Sequence, residues 1–116
     1  MEYAFIKTDY LEMVTGRDAA ITEELVTIFR NQVVEFYEQM AALNKERRYS
    51  ELGQLAHKAK SSVSIIGMEK MATTLKLLEQ NSKTATESKD FSNEIESFRI
   101  DTREALRELD HYLKTL

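Results

Sequence analysis

The sequence predicts an all-α protein, an antiparallel four-helix bundle with a short N-terminal cap helix. Three observations lead there. Proline is absent and glycine occurs only three times, so few positions break a helix. Hydrophobic residues make up 42% of the chain and recur three and four apart over long stretches, without sustained alternation. The segments between those stretches are short and polar, which favours antiparallel neighbours. A chain of 116 residues holds one core, so residues 1–116 read as a single helical domain.

Tyr3, Phe5 and Ile6 precede Thr8 or Asp9, the N-cap expected for a short helix that runs to about Val14 and is closed by Gly16. Tyr10, Leu11 and Val14 are its expected buried side. Too short to persist alone, it should lie across one end of the bundle. The first long helix spans about Asp18 to Leu43, with Ile21, Leu25, Ile28, Phe29, Val33, Phe36, Met40 and Leu43 as its inner series. Asp18, Glu23 and Glu24 complement the dipole at its start. Its aromatic and methionine residues read as core packing, not as a cofactor box.

Asn44 to Tyr49 is a polar connection, and Ser50 is the expected N-cap of a third helix running to about Ser64. Gly67 ends that helix. Met68 to about Lys83 forms a fourth, with Met71, Ala72, Leu75 and Leu78 facing inward. Asn81 to Asp90 has no helical period and reads as a loop. The last helix runs from Phe91 or Ser92 to about Lys114 through Ile95, Phe98, Thr102, Ala105, Leu106, Leu109, Tyr112 and Leu113. His111, near its end, reads as a surface residue beside the helix C-terminus.

Composition narrows the function. No cysteine is present, which excludes disulfides and thiolate metal or redox sites. A net charge of -4 argues against nucleic acid as a partner, and Lys45, Arg47 and Arg48 read as a solvated helix end. No apolar run approaches the ~20 residues needed to cross a membrane, and the N-terminus lacks the apolar stretch of a signal peptide. A soluble, cytoplasmic, free-standing chain is expected. Gly16, Gly53 and Gly67 are isolated, so no phosphate-cradling loop exists, and no acidic cluster is placed to hold a metal. No cofactor is expected on the chain itself.

The unusual chemistry lies between Ala56 and Gly67. On a helix, Leu52, Leu55, Ala56, Ala59, Val63 and Ile66 gather into one apolar stripe, and His57 falls roughly 160° from its centre. Lys60 and Ser61 lie one turn on, Ser64 two turns on and Gly53 one turn back. Gly53 costs about 1 kcal/mol of helix propensity relative to Ala, a local departure beside the histidine. An exposed imidazole offers a free ring nitrogen at neutral pH, a neighbouring lysine neutralises an anion carried there, and small neighbours admit another protein surface. The pattern points to a histidine that receives a phosphoryl group from a partner. A plain surface histidine on an amphipathic helix fits a lone His-x-x-Lys as well.

His57-Lys58-Ala59-Lys60-Ser61, with Gly67 ten residues after the histidine and Leu75, Leu78 and Glu79 beyond, resembles the histidine phosphotransfer (HPt) domains of multistep two-component phosphorelays. Asp9-Tyr10-Leu11, Thr15-Gly16-Arg17-Asp18 and Leu25 to Phe29 resemble the family's opening helix and the start of its second. The likeness covers nearly the whole chain. It departs at Ala59, where the family often has Leu, and at Ser61, where it often has Gly. The resemblance implies that His57 is the phosphoacceptor, that Lys60 and secondarily Lys58 stabilise the phosphoryl oxygens, and that Glu79 orients the imidazole. It also implies receiver domains and a hybrid histidine kinase as partners, with Mg²⁺ and the catalytic electrostatics supplied by the receiver. Gly53, Gln54, Ser61 and Ser64 are the expected docking patch of a monomer.

Two other readings compete. A helical adaptor would keep the bundle and bind receivers without relaying. A kinase dimerisation and phosphoacceptor domain also presents histidine on a helix, but usually has an acidic residue after it and a proline later; here Lys58 follows and proline is absent. A metal or hydrolase site is remote, because the two histidines offer no paired ligand spacing.

Overall fold

The computed structural model describes residues 2–86 and 89–116. Among these, five helices and no strand occur: α1 (Thr8–Thr15), α2 (Ala19–Lys45), α3 (Tyr49–Ile65), α4 (Glu69–Ser82) and α5 (Ser92–Leu113). The chain is therefore all-helical, as its composition and periodicity predict. The loop expected over Asn81 to Asp90 starts after Ser82, and its residues 87 and 88 lie outside the described residues.

The helices pack because each buries one stripe. α3 contacts α2 and α4, while α5 contacts α2 and α4, so the four long helices close a ring around a common core. Arg30 meets Asp110 at 2.6 Å and Asn44 meets Ser92 at 3.3 Å, so α2 and α5 run in opposite directions. α1 touches α2 and α3 at one end. The molecule is elongated, 48 × 20 × 20 Å. Phe98, Leu11, Met40, Leu52, Leu75 and Leu109 are among its most completely buried side chains.

The turns that set this arrangement are built in the same way. After α2, Arg47 takes φ 58°, its N–H bonds to Asn44 O at 3.1 Å, and Arg48 N–H bonds to Leu43 O at 2.9 Å. After α3, Gly67 takes φ 84°, its N–H bonds to Ser64 O at 3.1 Å, and Met68 N–H bonds to Val63 O at 3.1 Å. Both are Schellman endings, in which a left-handed residue satisfies the last carbonyls. At Gly67 a second constraint applies: a Cβ there would sit 2.5 Å from Lys7 Cβ and 2.7 Å from Lys7 N. Lys7 N–H bonds to Ile66 O at 3.0 Å, so the N-terminal segment docks directly on this turn.

Several expectations need correction. In α2 the buried series is Thr22, Val26, Phe29, Val33 and Met40, whereas Ile21 and Ile28 are exposed. Thr22 turns inward because its hydroxyl donates to Asp18 O at 2.7 Å, which satisfies the polar atom within its own helix. In α1 the same exchange occurs: Thr15 is buried with its hydroxyl on Leu11 O at 2.8 Å, while Val14 and Tyr10 are exposed. Tyr10 instead donates to Glu69 Oε1 at 2.6 Å, where Lys7 Nζ also lies 3.0 Å away. Those two donors hold the Glu69 carboxyl below its usual range, Tyr10 first. The sign is that of a depressed carboxylate: the latch stabilises above the ordinary carboxylate range and is released as acidification protonates Glu69.

Caps also shift. Asp18 caps α2, accepting from Ile21 N at 2.9 Å. α1 starts at Thr8 after Lys7, so neither Thr8 nor Asp9 is its cap. α3 starts at Tyr49, placing Ser50 inside the helix. Tyr49 is drawn in because its ring packs edge-on against Phe91 at 5.6 Å and its hydroxyl donates to Lys89 O.

The N-terminal segment is held by α5. Glu108 accepts from the backbone N–H groups of Ala4, Phe5 and Ile6 at 2.8, 2.9 and 3.1 Å. His111, exposed as expected, meets Tyr3 OH through Nδ1 at 2.8 Å. Glu108→Ala leaves three amides without their acceptor and should destabilise the fold by about 2 kcal/mol. The check is a lower denaturant midpoint at unchanged slope.

Candidate functional site

The site is assembled by the rotation of α3 about its axis. Leu52, Leu55, Ala56, Ala59 and Val63 are all buried, and Ile66 just beyond the helix is buried too. That stripe fixes which residues face outward. His57 therefore projects into solvent, its side chain 62% exposed. Gln54, Lys58, Ser61 and Ser64 are exposed as well, and Lys60 is half-buried.

α4 brings the second component. Met71, Leu75 and Leu78 are buried, and the next residue, Glu79, turns toward the edge that α4 shares with α3. Glu79 Oε1 lies 3.1 Å from His57 Nδ1, and the Glu79 side chain is only 20% exposed. A carboxylate oxygen only accepts, so this contact assigns a proton to Nδ1, and in the neutral ring Nε2 then keeps its lone pair. Nε2 has no hydrogen-bond partner among the described residues. The ring is held on one side and open on the other.

An open groove of about 1170 Å³ runs beside the imidazole, between the first half of α3 and the end of α4. Arg47, Lys58 and Lys83 bring positive charge to it, and Tyr49 and Ala85 supply apolar wall. Arg48, also on the groove, is held by Glu51 at 2.8 Å and 2.5 Å. Among the described residues no group of three or more His, Cys, Asp or Glu is arranged to hold a metal ion.

The Hpt domain family model matches residues 24–114 of the chain. The chain belongs to the Hpt domain family. Hpt domains carry phosphoryl groups on histidine in phosphorelays, are carriers rather than enzymes, and work with receiver domains and kinases. No curated protein and no solved structure matches the chain. No described helix of this Hpt domain is long and apolar enough to cross a membrane.

Of the residues singled out in the Hpt domain's sequence, the fold brings His57 and Glu79 into contact from two helices and sets Gln54, Lys58, Ser61 and Ser64 on the same exposed side of α3. Ser64 spends its hydroxyl on Lys60 O at 2.7 Å. Lys60 has no ion-pair partner among the described residues. Gly53 differs from its expected place in an exposed docking patch, because it is buried where α4 crosses. Ser82, the residue that meets it, was missed: a serine near a helix end carries no sequence signal for burial.

Glu79→Ala removes the acceptor at Nδ1. The expected outcome is a shift of the neutral His57 ring toward the Nε2-protonated tautomer, read from its imidazole ¹⁵N chemical shifts, with far-UV circular dichroism unchanged.

Proposed function

We propose that His57 is the phosphoacceptor of this Hpt domain, taking a phosphoryl group from the aspartate of one receiver domain and passing it to another. The observation that carries this reading is the exposed imidazole with Nδ1 engaged by Glu79 and Nε2 open to solvent. In the transfer, the Nε2 lone pair attacks phosphorus and the bond from phosphorus to the aspartyl carboxylate oxygen breaks, its electron pair returning to that oxygen. The ring keeps its Nδ1 proton and becomes an imidazolium. Glu79 faces the charge that develops there, so the proposed acceptor is stabilised as it forms. Donation to the next receiver reverses these steps.

Phosphoryl transfer needs positioning and charge neutralisation, which receiver domains supply with Mg²⁺. Lys60, one turn from His57, and Lys58 beside it neutralise phosphoryl oxygens in this reading. Gln54, Ser61 and Ser64 form the docking patch. Ser62 Oγ donates to Gln32 Oε1 at 3.2 Å across α2 and α3, and one turn further the exposed Ile28 and Ile65 extend the patch with apolar surface. A relay interface must release its partner, and a patch of this mixed character fits a transient contact.

The ring of helix contacts supports α2 to α5 as an antiparallel four-helix bundle capped by α1. In this reading residues 1–116 act as one domain, a cytoplasmic monomer. A hybrid histidine kinase is the upstream partner in this scheme. The exposed ring favours a carrier over a receiver-binding adaptor, which has no need of an open Nε2.

The test is label transfer from a phosphorylated receiver domain with Mg²⁺ and no ATP. Acid-labile, base-stable label should reach the wild type and not His57→Gln; acid-labile label persisting on His57→Gln would overturn the assignment. Lys60→Ala should slow transfer by about tenfold, less than the ~100-fold or more of a buried oxyanion donor because solvent screens the charge. An unchanged single-turnover rate would remove Lys60 from the mechanism.

A further inference from the structure

Gly53 and Ser82 meet one rung away from the imidazole. A Cβ on Gly53 would lie 2.5 Å from Ser82 Oγ, 3.3 Å from Glu79 O and 3.7 Å from Ser82 Cβ. With the first contact that short, a Cβ at Gly53 requires either the Ser82 hydroxyl or α4 to move, and the second falls on the backbone of Glu79 itself, which must give by a few tenths of an ångström. Ser82 is 3% exposed, and its hydroxyl donates to Glu79 O at 3.0 Å. Gly53 lies one turn before His57 on α3, and Ser82 lies one turn after Glu79 on α4. The Gly53–Ser82 contact and the His57–Glu79 contact are thus successive rungs between the same two helices.

We propose that Gly53 and Ser82 are positioning residues, a steric key that sets the separation of α3 and α4 so that Glu79 reaches His57 Nδ1. The argument is geometric. Side chains on a rigid helix move with their backbone, and a methyl group at Gly53 presses on both the Glu79 carbonyl and the Ser82 hydroxyl, which is buried and hydrogen-bonded and so resists turning aside; α4 is pushed outward. Glu79 is one turn from that point and its own carbonyl is part of the contact, so it moves too. A hydrogen bond already at 3.1 Å is lost by a displacement of under about 1 Å. The hydroxyl adds a second constraint by tying Ser82 to the carbonyl of Glu79. Within the proposed function, which this inference rests on, the key keeps Nε2 as the free nitrogen.

The test is a double-mutant cycle of Gly53→Ala and Ser82→Ala, read in two ways. The first is the tautomer of the unphosphorylated His57 ring by ¹⁵N chemical shift, which needs no relay partner. The second is single-turnover phosphoryl transfer from a phosphorylated receiver domain. In the wild-type background, Gly53→Ala should lower the ratio of Nδ1-protonated to Nε2-protonated ring by roughly twofold or more, the low end of couplings between residues in contact, and slow transfer in parallel. In the Ser82→Ala background the obstructing hydroxyl is gone and only the 3.3 Å approach to Glu79 O remains, so Gly53→Ala should change the ratio by less than about twofold and slow transfer correspondingly less. A wild-type tautomer ratio in Gly53→Ala, or an equal effect in both backgrounds, would overturn the key. Should Gly53→Ala not fold, Ser82→Ala and the double variant carry the test: a double-variant ratio within about twofold of Ser82→Ala supports the key and a larger drop overturns it. Tautomer shifts as expected with no transfer even to wild type would reject the carrier reading while leaving the key in place.

Discussion

Burial of one stripe on α3 is the constraint on which the site depends. Leu52, Ala56, Ala59 and Val63 are fully buried, so the helix has a single permitted rotation. A change of one residue in that register would turn the outer face by about 100° and carry His57 toward the interior. Small residues matter as much as hydrophobic ones here. Ala56 and Ala59 are fully buried, and Gly53 admits Ser82 of α4 one turn from Glu79. Packing energy and ring orientation are therefore consequences of the same contact.

The two ends of α4 are fixed by different means. Its start follows Gly67, whose positive φ and missing side chain admit Lys7 and the N-terminal segment. Glu69 ties that start to Lys7 and Tyr10, and Glu108 ties the preceding amides to α5. Its far end is fixed by Ser82 against Gly53. Glu79 sits close to the second anchor, where small changes in helix separation are felt most. A carboxylate placed on a braced helix pairs with an exposed histidine better than one on a loop would, because little freedom is lost when the contact forms.

The chemistry of the surface follows from what the chain does not carry. In the proposed relay the metal and the activated aspartate belong to the partners, so this chain has only to expose one ring nitrogen and occupy the other. Solvent exposure of the ring and partial burial of Glu79 fit that division. Ser61 and Ser64 put short side chains on the exposed side of α3 that carries the ring, and Arg47, Lys58 and Lys83 line the adjoining groove.

The sequence by itself determined the helical class, the inner stripe of α3, the inward residues of α4 and α5, and His57 as the outward residue, because a 3.6-residue period records which side of a helix is apolar. It also determined the turn at Gly67, where a left-handed residue is needed. Tertiary structure alone decided the rest. α2 offers Ile21 and Ile28 on one side and Val26 with Thr22 on another, and period cannot choose between them; a threonine that satisfies its hydroxyl inside the helix packs as a hydrophobe. Val14 and Thr15 were exchanged for the same reason. The contact of Glu79 with His57 could be anticipated only through family likeness, and Gly53 against Ser82 could not be anticipated at all. Both are distances between helices, and helix separation is set by the fit of side chains across an interface that a linear period does not encode.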